Sequence, residues 1–116
     1  MDQDFSEANG RYMVMVRSGG DCEKCGKPAS DWSHRKARSQ MGTWQPSNGL
    51  ALCRKCHSWA HSKPQAARDM GIMLKSHQDP LEVPVKIMTR LFGPQWMLLA
   101  DDGTMTRTTP PEGVAP

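Results

Sequence analysis

All four cysteines and three of the four histidines fall between Cys22 and His61, in the stretch CEKCGKPASDWSHRKARSQMGTWQPSNGLALCRKCHSWAH. The cysteines form two C-x-x-C pairs, Cys22/Cys25 and Cys53/Cys56, with 27 residues between the pairs. Two such knuckles can place four thiolates around one Zn²⁺ in tetrahedral geometry. A site closed by four thiolates has no open coordination position. The spacing therefore points to a structural zinc whose binding energy is folding energy. Disulfides or redox pairs are the competing use of the same residues. The acidic, polar start MDQDFSEANG does not read as a secretory signal, which favours metal over disulfides.

With the cysteines committed to zinc, His57 and His61 are left for other chemistry. Four residues apart, they share one face of a helix expected from about Arg54 to Ser62, a ready two-point site for a divalent cation. The same spacing also arises among ordinary surface histidines. His34 by itself carries less, and Asn48, in the run PSNG, is by itself a turn residue. Charge adds a further clue. From Cys22 to Pro64 eight Lys/Arg face only Glu23 and Asp31, a local net of +6, whereas the rest of the chain carries seven Lys/Arg against ten Asp/Glu, a net of −3. A basic patch around such a cluster suits nucleic acid, although a solvated face would have the same composition.

Taken in order, His34, then Asn48 in the following loop, then His57 directly after a C-x-x-C, resembles the HNH endonuclease family. The stretches SHRKARSQMG, WQPSNGLALC and CRKCHSWAH carry the likeness. It spans about residues 11–71 and is closest in kind to small zinc-knuckled HNH proteins of phage and actinobacterial genomes. The resemblance implies an α+β protein with a ββα-metal core: a hairpin bearing His34, a loop containing Asn48, and a helix bearing His57 and His61. It implies hydrolysis of a DNA phosphodiester with one divalent cation, Mg²⁺ or another such as Mn²⁺ or Ni²⁺, held by His57 and His61. His34 would be the general base, since an imidazole is half neutral near pH 6.5. Asn48 would hold the loop against the His34 strand. Arg35, Lys36 and Arg38 would clamp flanking phosphates. By analogy alone, a phage terminase or packaging protein is a further partner and the host cytoplasm the location.

One departure from the family stands out. Many members have Asp or His just before the base, as a metal ligand; here that residue is Ser33, whose hydroxyl is a poor ligand. The expectation is two protein ligands completed by water and phosphate, and weak cation binding. Asp31 is not expected to substitute. A non-catalytic zinc-ribbon-like module that grips nucleic acid, or a phage DNA-packaging accessory, would also explain the cysteines and the basic patch. Only the nuclease accounts for the ordered His34, Asn48, His57, His61 set. No recognition helix is evident, so weak sequence preference or nicking is expected.

These residues need elements to position them. At 116 residues, 37% hydrophobic and 6% aromatic, with a mean hydropathy of −0.65, the chain suits one domain with a modest core and a staple. No apolar run approaches a membrane span. Residues 1–10 are expected to lack structure. The run Arg11 to Arg17 reads as a short helix stopped by Ser18-Gly19-Gly20. Ala29 to His34 reads as extended, Arg35 to Asn48 as a long polar loop, and Gly49 to Leu52 as a short strand. A second helix follows from Pro64 to Met70, with Ser62 as its cap and Gly71 as its stop. Short strands are expected at Ile72 to Leu74, Val83 to Met88 and Gln95 to Ala100. A hairpin turn at Asp101-Asp102-Gly103 would return through Thr104 to Thr108. Residues 72–108 should pack on the core and 109–116 form a flexible tail. Trp32, Trp44 and Trp59 read as packing residues, and Met13, Met15, Met70, Met73 and Met88 as core filler. His77 is assigned no role.

Overall fold

The structure, a computed structural model, describes residues 5–40 and 42–114 and is mixed α+β. Helix α1 (Glu7–Ser18) begins earlier than the apolar run suggests. The Ser6 hydroxyl accepts the Asn9 N–H, and Glu7 pairs with Arg11 one turn on at 2.9 Å, so polar groups start the helix. The expected unstructured stretch is thus helical from Glu7 onward; residues 1–4 lie outside the described residues. Gly19, at φ 66°, closes α1 as its glycines predict, with Gly19 and Gly20 N–H groups on the Val16 and Met15 carbonyls.

Strands β1 (Asp31–His34) and β2 (Gly49–Leu52) pair antiparallel, with Asp31 opposite Leu52 and His34 opposite Gly49. The chain then passes through Cys53 into α2 (Arg54–Ser62) and α3 (Pro64–Asp69). Ser62 does not cap α3: it stays within α2 with its hydroxyl on the Trp59 carbonyl, and Lys63 occupies the cap position. Between β1 and β2 the polar connection contains two single 3₁₀ turns, Arg38–Gln40 and Pro46–Asn48.

The β1–β2 hairpin is covered on both sides, which is why every residue of β2 is buried. Alternation along the strand sends Leu50 and Leu52 into the main core with Ala60, Ala67, Ile72, Val85 and Ile87. It sends Ala51 to the opposite face, into a smaller cluster with Val14 of α1 and Trp32. Close approach fixes the small residues there. A Cβ on Gly49 would collide with the Trp32 ring, and one on Gly10 with the Trp44 carbonyl.

After α3 the chain forms a three-stranded antiparallel meander, β3 (Val85–Thr89), β4 (Gly93–Leu99) and β5 (Met105–Arg107). Its Val85, Ile87, Met97 and Leu99 side chains share the main core with Leu50 and Leu52. The Asp101 carboxylate, in the β4–β5 turn, accepts the Ser47 N–H and a Gln45 amide N–H. Ile72 to Leu74 is not a strand. These residues follow a tight bend at Gly71 (φ 76°), and the Leu74 N–H bonds the Arg35 carbonyl instead of a ladder partner. Met15 is not core filler either, being 38% exposed on α1.

Two buried arginines tie the layers together. Arg17 of α1 makes a bidentate pair with Glu23 at 3.0 and 2.8 Å, and both side chains are only 2% exposed. Arg17 also donates to the Pro46 and Gly49 carbonyls, and Glu23 accepts the Ala51 N–H, so α1, the first knuckle and β2 meet at one satisfied network. Arg35 corrects an expectation. It is 1% exposed and donates to the carbonyls of Gly71, Ser47, Pro80 and Val83. Burial and the nearby Arg17 push its pKa down to about 9, which leaves it cationic at neutral pH. All of its nitrogens are spent on backbone, so Arg35 staples residues 71–83 to the hairpin and is not a phosphate clamp.

Candidate active site and metal centre

The two knuckles converge. The Sγ atoms of Cys22, Cys25, Cys53 and Cys56 lie within 4.8 Å of one another, and Cys25 and Cys53 are 3.8 Å apart. Four thiolates at about 2.3 Å from a tetrahedral Zn²⁺ stand roughly 3.8 Å from each other, so the donor set fits that ion. None of the four is in a disulfide. Local structure explains the convergence. Gly26, at φ 83°, lets the first knuckle turn back on Cys22. Cys53 caps α2, its sulfur accepting the Cys56 N–H, and this backbone donor holds its thiol down to about 7. Burial pushes the Cys22 and Cys56 thiols up, a cost that a bound cation would offset.

The second constellation is open. His57 and His61 stand on one face of α2 with ring centres 5.0 Å apart. Two imidazoles on one cation, each at about 2.1 Å through nitrogen, place their ring centres roughly 4.5–5.2 Å apart for bond angles between right and tetrahedral. The observed separation falls within this range. The pair lines a cleft of about 880 Å³ together with Asp31, Arg54, Arg11 and Ser58.

Asp31 also lines the cleft. Its Oδ2 lies 2.9 Å from Nδ1 of His57 and 2.7 Å from Nε of Arg54. Arg54 first, and His57 second, hold its carboxyl well below the usual carboxylate range. The signal was available in the alternation of a strand: residues 31 and 33 share a face, and that face looks toward α2. Ser33 itself is 2% exposed and does not line the cleft. Among the described residues, the cysteines are the one group of three or more His, Cys, Asp or Glu donors close enough to enclose an ion.

His34 lies off the cleft. Its ring packs against Trp44, with centres 4.5 Å apart, and edge-on against Trp32 at 5.7 Å. Its Nε2 is buried without a hydrogen-bond partner. Burial, then the Arg38 and Arg11 cations, push its pKa below the usual imidazole value, so the ring is neutral at pH 7. Asn48, buried, bridges the segment that follows His34. Its side chain accepts the Lys36 N–H and donates to the Lys36 and Thr43 carbonyls, and its own carbonyl accepts the Arg35 N–H. Lys36 is half-buried, and Arg38 is exposed with its guanidinium 5.9 Å from the Trp44 ring centre. Sequence reasoning missed Arg54 and Arg11 at the cleft.

Residues 22–63 match the family model for HNH endonuclease. The matching stretch runs from the first cysteine through α2 and suggests nuclease activity in general. No curated protein and no solved structure matches the chain. No helix among the described residues is long and apolar enough to cross a membrane.

Proposed function

We propose that the chain is a metal-dependent endonuclease that hydrolyses DNA phosphodiester bonds, with His34 as general base and the divalent cation on His57 and His61. The carrying observation is the His57/His61 pair, 5.0 Å between ring centres, facing a cleft inside the segment that matches HNH endonuclease. A cation there, Mg²⁺, Mn²⁺ or Ni²⁺, would neutralise charge on the scissile phosphate and stabilise the leaving 3′ oxygen. His34, neutral at pH 7, can accept the proton of an attacking water. Asn48 keeps the backbone after His34 in place. Arg54 and Arg11 flank the cleft where a phosphate backbone would cross it, and Lys36 and Arg38 extend the basic track. The cysteines hold a structural Zn²⁺ and take no part in the reaction.

The enclosure of His34 favours one alternative, a module that binds DNA without cutting it, as a packaging accessory would. Supercoiled plasmid incubated with zinc-loaded protein in Mg²⁺, Mn²⁺, Ni²⁺ or EDTA separates the two. Nicking that requires the cation, and that His34→Ala loses while retaining zinc, supports the nuclease. A folded, zinc-loaded protein that shifts DNA yet cuts in none of these metals overturns it in favour of the binding module.

A further inference from the structure

The hydrogen bond between Asp31 and His57 goes beyond the set of residues needed to hold a cation. A carboxylate accepts hydrogen bonds and does not donate them, so with Oδ2 at 2.9 Å the Nδ1 of His57 must carry the proton. In a neutral imidazole that leaves the lone pair on Nε2. A histidine that ligates a metal ordinarily donates its other ring N–H to a carboxylate or carbonyl, which fixes the tautomer and the ring orientation. Asp31 is itself held. Arg54 contacts both of its oxygens, at 2.7 and 3.2 Å, and the Ser30 hydroxyl donates to Oδ1 at 2.9 Å. Its backbone is fixed in β1 opposite Leu52. The carboxylate side chain is 10% exposed, and the Arg54 side chain 80%, so the anchor is on the protein side and the cation of the pair on the solvent side.

We propose that Asp31 is a positioning residue for the cation site: it locks His57 in the Nδ1–H form so that Nε2 faces the cleft beside His61. This compensates for Ser33, which supplies no ligand. Asp31 acts through His57 and not as a direct ligand, because its carboxylate and the two imidazoles do not come close enough together to enclose an ion. Its partner Arg54 then has a second use. Being largely exposed at the rim, its guanidinium keeps donors for a phosphate while it holds Asp31.

The inference rests on the nuclease reading for the identity of the cation, but its first test needs neither cation nor DNA. Long-range proton–nitrogen correlation spectra of the zinc-loaded protein, recorded at alkaline pH, report the His57 tautomer. Wild type should show a proton on Nδ1. Asp31→Ala should move His57 toward the Nε2–H form that free histidine prefers. A second measurement uses Mn²⁺ binding by equilibrium dialysis. Asp31→Ala should weaken it about 10–100-fold, and Asp31→Asn, whose amide oxygen can still accept the Nδ1 proton, by less than about 10-fold. Zinc content and thermal melting confirm that each variant is folded. An unchanged His57 tautomer in folded Asp31→Ala would overturn the proposal. So would an Asp31→Asn loss as large as that of Asp31→Ala, which would make the charge itself a ligand. A wild type that shows the Nδ1–H form but never nicks DNA would sink the nuclease and leave the positioning role standing.

Discussion

The cysteine cluster and the histidine cleft lie at opposite functional extremes, although α2 serves both. Cys53 caps it and Cys56 lies in its first turn; the face toward the cleft carries His57 and His61. The cysteine site is closed, with four sulfurs converging from two knuckles and two of the four residues buried. The histidine site is open. It offers two imidazoles and a carboxylate that has already turned to brace one of them, along a cleft that a DNA strand could enter. A closed donor set can only stabilise; an open one leaves coordination positions for water and phosphate. The position of the cysteines at the start of α2 makes the first site a mount for the second.

The sharpest way to break this contrast is to remove each metal in turn. Chelating the zinc, or Cys22→Ser, should unfold the chain. Apparent zinc-binding energies of about 10–16 kcal/mol in small zinc peptides match or exceed the ~5–15 kcal/mol that stabilises a typical domain. Circular dichroism before and after strong chelation reads this directly. Retention of a cooperative melt without zinc would remove the structural role. By contrast, His57→Ala and His61→Ala should leave zinc content and melting temperature unchanged.

Next in size is the Arg17–Glu23 pair, which mounts the first knuckle on α1. Arg17→Met alone should cost about 3–5 kcal/mol because it leaves a buried carboxylate unpaired. The double variant Arg17→Met/Glu23→Leu should recover much of that in urea denaturation. A single variant as stable as wild type would show that the network contributes nothing to the fold.

A smaller effect concerns His34. Its pKa is lowered by burial and by the Arg38 and Arg11 cations, so the neutral, proton-accepting form persists to lower pH than in a free imidazole. The acid limb of the nicking rate should therefore have its midpoint below the reference value of about 6.5, and Arg38→Ala should move it upward. A midpoint above that value would separate the base from His34. Smallest of all, Lys36→Ala and Arg38→Ala should each weaken DNA binding without altering sequence preference and reduce the salt dependence by about one counterion. Arg35→Lys should instead register as lost stability, since its nitrogens contact four carbonyls and no solvent-facing group.

The same contrast separates what the sequence made legible from what it did not. The knuckles, the turn at Gly26, the α2 helix and the His57/His61 face follow from short spacings, because backbone geometry alone places residues three or four apart. The hairpin turn at Asp101 to Gly103 was equally local. Arg35, Asp31 and the Arg17–Glu23 pair were misread or missed because their partners are distant in sequence. Arg35 looks like part of a basic loop until residues 71–83 wrap around it. Asp31 looks like a surface acid until α2 brings His57 and Arg54 over it. The strand expected at Ile72 to Leu74 failed for a related reason: short apolar runs become buried by a bend as readily as by a ladder.

On the proposed reading, cysteines and histidines associated with one helix serve separate metals. Metal analysis after equilibrium dialysis of zinc-loaded protein against Mn²⁺ tests it most directly, comparing wild type with His57→Ala/His61→Ala. One tightly held zinc is expected in both proteins, and a second, weakly held Mn²⁺ in wild type alone. Equal Mn²⁺ uptake by the two proteins, or loss of zinc from the histidine variant, would contradict it.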